Sequence, residues 1–234
     1  MDCYDYTGRS QALWGPESQQ ILQRSAVLVV GLGGVGGAAA EALARAGIGQ
    51  LTLVDEDVIE RSNLNRQLIA LHSTIGASKA KVAAVRLQDI NPQAQITAHQ
   101  LHLDGKTKEG FTALPWDSLD FIVDAIDDVP AKIALAEEAS KRKIPLIMAL
   151  GAGRRWQPEK LIITDLFATQ GDPLARRLRH DLRQRGISSL PVVFSEEAPK
   201  PLPVGGPLPS SPFVPPAAGF LLASYVVRSI LGLE

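Results

Sequence analysis

Short apolar runs alternate with longer amphipathic or alanine-rich stretches along most of the chain. The run at 26–30 leads into a glycine-dense turn and an alanine-rich stretch, and a second run at 51–54 ends at Asp55. Apolar runs of this length, bounded by turn residues, read as buried strands, and the stretches between them have the length and spacing of helices. Residues 16–23 predict a helix with Pro16 in its first turn, offering Leu13, Trp14, Ile21 and Leu22 for packing. Residues 78–89 predict a helix with Val82, Val85 and Leu87 near helical spacing, stopped by Asn91-Pro92. The alternation at 95–103 predicts a strand. Residues 121–123 predict a buried strand, 130–142 a helix, 145–150 a strand ending in GAGRR, and 161–164 a last short strand before Asp165. Strands alternating with helices predict an α/β fold: a doubly wound, mostly parallel, Rossmann-like sheet with a C-terminal extension. Such sheets bind ligands beyond the carboxyl ends of their strands, so Asp55, Asp127 and Gly151 are expected on one edge.

The character of the chain changes after residue 170. A basic helix comes first, then a segment at 199–216 with eight prolines, which reads as a short loop or lid. The apolar stretch 217–233 carries Arg228 and falls short of the ~20 residues of a membrane span, so it predicts a core or dimer-interface helix rather than a membrane anchor. The expected organisation is one nucleotide-binding domain over 1–170, with 171–234 packing on it as an extension.

Composition narrows the classes. A hydrophobic content of 45% with 21% charge is that of a soluble globular chain, and a net charge of -1 excludes a strongly basic nucleic-acid coat. The single cysteine, Cys3, forbids an internal disulfide and a four-cysteine zinc site, and a reducing cytoplasm is the expected setting. Asp2, Asp5 and Glu17 interrupt any apolar leader. The four histidines show no metal-ligand spacing, and His72 reads as structural.

The chemistry begins at the turn GLGGVG, where Gly31, Gly33 and Gly36 take the G-x-G-x-x-G spacing and Gly34 lies between them. Glycines let the backbone approach a ligand, and amides at the following helix N-terminus can hold phosphate. Asp55 follows Gly36 by 19 residues, where a carboxylate can accept hydrogen bonds from ribose hydroxyls. By themselves these residues say nucleotide, and NAD remains open. Arg66 can fork onto phosphate oxygens, Lys79 can neutralise them, Asn63 and Gln67 can bond phosphate or ribose, and Asp127 can hold Mg2+. Asp128 reads as a helix N-cap before Pro130. Hydride transfer has little use for this group; attack on the α-phosphate of ATP needs it, because charge builds on phosphate oxygens.

GLGGVG, Asp55, SNLNRQ, TIGASKAK and DAIDD, in that order, resemble the ubiquitin-activating-type adenylating enzymes of the ThiF, MoeB and HesA group. The resemblance implies ATP binding, with Asp55 on the ribose, Asn63, Arg66 and Lys79 on phosphates, Asp127 on Mg2+, and a carboxylate activated as an acyl-adenylate. It also implies a homodimer. The second half, with KRKIPLIMALGAG, ITDLFATQGDPLARRLRHDLRQRGI, VVFSEEAPKPLP and PFVPPAAGFLLAS, is similar to the tRNA threonylcarbamoyladenosine dehydratase branch. That branch activates the threonylcarbamoyl carboxylate on adenosine 37 of tRNA, and the amide closes onto it as a cyclic oxazolone-type product. A sulfur-relay protein is a further partner to consider. Zinc cysteines of MoeB-like relatives are missing here, and Pro191-Val192-Val193 stands where many members carry a cysteine. The arginine that members lend to a partner's ATP site has only Arg9 as a counterpart. Arginines 176, 177, 179, 183 and 185 are by themselves a solvated helix face; with a tRNA substrate, Arg176, Arg177, Arg179 and Arg183, joined by Arg154 and Arg155, become a phosphate-contacting stripe. Two other readings are kept open: adenylation of the C-terminal glycine of a ubiquitin-like sulfur carrier, and an NAD-dependent oxidoreductase or nucleotide sensor.

Overall fold

The computed structural model describes residues 6–202, 205 and 208–233; Cys3 and part of the 199–216 segment lie outside them. Two short helices, α1 (Gly8–Trp14) and α2 (Pro16–Arg24), precede β1 (Ala26–Val30) and α3 (Gly36–Ala46). Then come β2 (Gln50–Val54), α4 (Lys79–Ile90), β3 (Gln95–His99), β4 (Phe121–Asp124), α5 (Val129–Arg142), β5 (Leu146–Ala149), β6 (Leu161–Asp165), α6 (Pro173–Gln184), β7 (Pro191–Ser195) and α7 (Val214–Ile230). The strands form one seven-stranded sheet in the order β3-β2-β1-β4-β5-β7-β6. All neighbours are parallel except β6, which runs antiparallel to β7 with Ile163 opposite Val193.

The sheet is doubly wound because its central strands are apolar on both faces. All five residues of β1 are buried. Val27 and Val29 join a core with α3, α4 and α7, while Leu28 and Val30 join a second core with α5 and α6. Each such side chain contributes about 1.5–3 kcal/mol when fully buried. Asp128 N-caps α5 by accepting the amide of Ala131 at 2.8 Å, as its position before Pro130 suggests.

Four features differ from the sequence expectation. The strand at 161–165 is neither last nor parallel: β7 follows it in sequence and inserts between β5 and β6, so a boundary at residue 170 falls inside one sheet. β3 stops at His99, and Leu101 and Leu103 leave the sheet to wall a cavity. Leu13, Ile21 and Val85 are exposed, so only part of the helical apolar spacing is used for packing. His72 lies exposed at the start of a short 3-10 turn.

The apolar C-terminal stretch is core. Helix α7 buries Ala218, Leu222, Ala223 and Val226 against α3 and the sheet, and no helix of the described residues is long and apolar enough to cross a membrane. Its approach to α3 is so close that a Cβ at Gly219 would lie 2.2 Å from the carbonyl of Val35. Replacing Gly219 by valine is therefore expected to lower stability by about 1–3 kcal/mol through overpacking. Urea unfolding checks this; an unchanged midpoint would mean the two helices can separate freely.

Candidate active site

The carboxyl edge of the sheet opens into a cavity of about 540 Å³. It is built where the strand order reverses, between β1 and β4, which is where doubly wound sheets leave a crevice. The glycine turn forms its floor. Gly31 has φ +84°, and a Cβ there would meet the Ala125 carbonyl at 2.6 Å. A Cβ on Gly36 would lie 1.7 Å from the Gly31 carbonyl, so this turn closes only with glycine at both places. Gly36 supports the turn from behind, while Gly31, Gly33 and Gly34 line the cavity. At Gly33 the nearest atom to an added Cβ is Gln67 Nε2, 3.8 Å away, which leaves space for a ligand to approach the backbone.

Asp55, Asn63, Arg66, Gln67, Lys79 and Asp127 all line the same cavity. Asp55 is buried; its Oδ2 accepts the Leu32 amide at 2.6 Å and its Oδ1 the Asp57 amide at 2.9 Å. The carboxylate thus ties the end of β2 to the glycine turn. Lys79 opens α4, yet it is buried rather than solvated. Its Nζ lies 2.6 Å from Asp57 Oδ2 and 3.9 Å from Asp55 Oδ1. This ammonium is held by acids that can share it with phosphate. Arg66 Nη1 donates to the carbonyl of Ser62 and to Asn65 Oδ1, holding the guanidinium at the rim. Asn63 shapes its own loop, with Oδ1 accepting the Glu60 amide at 3.0 Å. Gln67 is 6% exposed, and its Oε1 is buried without a hydrogen-bond partner, an acceptor waiting for a donor from a ligand or water. Asp127 is exposed, three residues beyond the end of β4.

Burial pushes the Asp55 carboxyl above the usual aspartate range, against the opposing pull of the Leu32 amide and the Lys79 charge. A ribose hydroxyl that donates to Asp55 favours the ionised form. Nucleotide affinity is therefore level while Asp55 is ionised and falls as pH drops through its raised pKa. The acid limb should begin at higher pH than an ordinary aspartate gives, about 3.9. Calorimetric titration with AMP across this range checks it, with Asp55→Asn expected to flatten the limb; equal limbs in both proteins would remove Asp55 as its cause.

Sequence reasoning missed two parts of the cavity. One is the wall formed by Leu101, His102 and Leu103, which left the sheet at His99. The other is Lys132, whose Nζ donates to Asp124 Oδ1 at 3.0 Å and to the Ala149 carbonyl at 2.9 Å. Asp124 ends β4 and Lys132 lies in the first turn of α5, so the β4–α5 loop folds one onto the other, but a lysine inside a helix reads as solvated.

The basic residues separate into two groups. Arg176, Arg177 and Arg183 are exposed on α6, while Arg154 is half-buried. Arg155 does not join a surface stripe. It is 4% exposed and ion-paired to Asp172 at 2.9 Å. Arg179 is also partly withdrawn, with Nη1 donating to the Thr169 carbonyl at 2.8 Å.

The pattern of the ThiF family matches residues 7–188. The chain belongs to the ThiF family. Among ThiF-family relatives, it is 38% identical over 240 residues to the tRNA threonylcarbamoyladenosine dehydratase of Bacillus subtilis, covering 95% of this chain and 93% of that one. Crystal structures of the Escherichia coli tRNA N6-threonylcarbamoyladenosine dehydratase, in complexes with ATP and with AMP, both superpose with a TM-score of 0.87 at 33% identity. The ATP complex covers 97% of this chain and 94% of the other, and the AMP complex 96% and 93%. The fold and the adenine-nucleotide reading of the cavity both agree with this membership.

Proposed function

We propose that this ThiF-family chain is an ATP-dependent dehydratase that cyclises the threonylcarbamoyl group of a modified tRNA adenosine. The observation that carries the reading is one cavity that brings together the glycine turn, the buried Asp55, the cations Arg66 and Lys79 and the exposed Asp127, in a chain alike over 95% of its length to such an enzyme. The residues fit ATP. Gly33 leaves the backbone open to phosphate, Asp55 and the unpartnered Gln67 Oε1 accept from hydroxyls, and Arg66 and Lys79 supply positive charge. Mg2+ is commonly held by one or two carboxylates together with phosphate oxygens. Asp127 suits that role, since it is exposed on the cavity, whereas Asp128 is engaged as the N-cap of α5.

Bound ATP supplies the leaving group that makes loss of water from a carboxylate favourable. The chain's own residues do the rest. Arg66 and Lys79 offset charge that builds on the α-phosphate oxygens, and the buried Lys79 does so in a medium where a charge acts strongly. Asn63 fixes the loop that carries Arg66 and Gln67. Gly151 and Gly153, just beyond β5, line the same cavity with Leu174, Leu208 and Ser210, and this reading brings the substrate carboxylate in beside them. Arg176, Arg177 and Arg183 run along α6 from Leu174, so RNA phosphates can follow that face away from the cavity. The same reading takes the protein as a cytoplasmic homodimer with Arg9, exposed on α1, reaching toward the partner's site, and with a sulfur-relay protein as a further contact.

Purified protein, ATP, Mg2+ and tRNA bearing threonylcarbamoyladenosine, followed by nucleoside mass spectrometry, test the reading. The expected product is lighter by one water and appears only with ATP. If the modified nucleoside stays intact while ATP is cleaved only in the presence of a carrier protein's C-terminal glycine, the tRNA assignment fails.

A further inference from the structure

Arg155 joins three segments at the carboxyl edge of the sheet. Its Nε donates to the Glu197 carbonyl at 3.0 Å, its Nη1 to the Gly151 carbonyl, and its Nη2 to Asp172 Oδ2 at 2.9 Å. Gly151 belongs to the cavity wall after β5. Glu197 follows β7 and fixes the chain beside Arg155 in return, its Oε2 accepting the amides of Trp156 and Gln157 at 2.9 Å each. Asp172 is the N-cap of α6, its Oδ1 accepting the Ala175 amide at 2.9 Å. One guanidinium therefore sets the first turn of the basic helix against the wall of the cavity. Leu174, in that same first turn, lines the cavity itself. The arginines that follow it, Arg176, Arg177 and Arg183, face solvent. A planar fork with five donors in fixed directions can hold three acceptors in one arrangement, whereas a lysine ammonium cannot reproduce that geometry.

We infer that Arg155 is a positioning residue that registers the RNA-binding face of α6 against the nucleotide cavity, so that phosphates held on the helix place the substrate carboxylate at the site of activation. The inference rests on the tRNA reading above. A long RNA gains from this junction, because its phosphates on α6 and its modified base in the cavity must be held at one fixed separation. A modified trinucleotide, too short to reach along α6, gains nothing from it.

Two variants test this, Arg155→Lys and Asp172→Asn, the second keeping a good N-cap while removing the charge from the pair. ATP affinity, and kcat/KM with a full-length tRNA and with a trinucleotide carrying threonylcarbamoyladenosine, are measured for each. The expected result is ATP affinity and trinucleotide turnover within about twofold of the unsubstituted protein, with kcat/KM for the long RNA reduced about 100-fold, the size of effect that a displacement of about 1 Å has on a positioned substrate. A parallel fall with both substrates, or no fall with either, overturns the inference. If Arg155→Lys does not fold, the Asp172→Asn result decides. Failure of the unsubstituted protein to turn over any RNA is a separate outcome: it sinks the tRNA reading and this inference with it.

Discussion

Asp127→Ala is expected to fold normally, to bind ATP, and to lose turnover by about 10²–10³-fold, the effect of removing one electrostatic element from an activation site. The expectation of normal folding comes from the surroundings. Asp127 is exposed on the cavity and lies in the loop between β4 and α5, whose N-cap is the neighbouring Asp128. Removing its carboxylate leaves no buried group without a partner. Lys79→Ala should behave differently, although both residues line the same cavity. Lys79 is buried between Asp55 and Asp57, so its loss leaves two acids facing the space that phosphate must enter. ATP affinity should then fall together with kcat, because the charge lost acts on the bound nucleotide as well as on the transition state. Isotherms for ATP and single-turnover rates with modified tRNA distinguish the two patterns. Near-normal turnover by the Asp127 variant would remove it from the catalytic group and with it the Mg2+ role.

The contrast between these two residues shows what a sequence can disclose. The glycine turn, Asp55, Lys79 and Asp127 are legible because a doubly wound sheet puts ligand-facing residues at or just beyond strand ends and at helix starts, whereas Asn63, Arg66 and Gln67, in the connection between β2 and α4, are legible from their residue types in SNLNRQ. Their surroundings are less so. Nothing local indicates that Lys79 is buried, since Asp57, which holds it, is a loop residue 22 positions earlier whose direction depends on the closed fold. Arg155 makes the same point in reverse. Beside Arg154 and near a run of arginines it reads as a surface cation, yet its three acceptors come from 4, 17 and 42 residues away and are assembled only when β7 enters the sheet. β7 itself is hard to read, because Pro191 opens it and proline argues against an interior strand. Its placement inside the sheet is tolerated because Pro191 is the first residue and pairs with Asp165 at the far end of the antiparallel edge strand.

Lys132→Met is expected to cost stability more than any change at the exposed site residues. Lys132 is 1% exposed and Asp124 fully buried, with 3.0 Å between Nζ and Oδ1. Removing one partner of a buried pair leaves an uncompensated charge, at a cost of about 3–5 kcal/mol. In a chain of this size that lowers the melting temperature by roughly 10 °C or more. The pair also ties the ends of β4 and β5, since the same Nζ donates to the Ala149 carbonyl at 2.9 Å while Asp124 Oδ1 accepts the Ile126 amide at 3.0 Å. Burial already pushes the Asp124 carboxyl upward, with Lys132 opposing it. Without Lys132 the folded-state pKa rises further above the unfolded value. The folded state then binds the proton more tightly, so the penalty is full above the folded pKa and shrinks as pH falls through it. The gap between Lys132→Met and the unsubstituted protein should accordingly narrow on acidification, and adding Asp124→Asn should recover a large part of the loss at neutral pH by removing the charge outright. Urea unfolding of the single and double variants at two pH values checks both statements. A gap that is independent of pH and unaffected by Asp124→Asn would assign the loss to packing of the lysine stem, with the ion pair contributing nothing of its own.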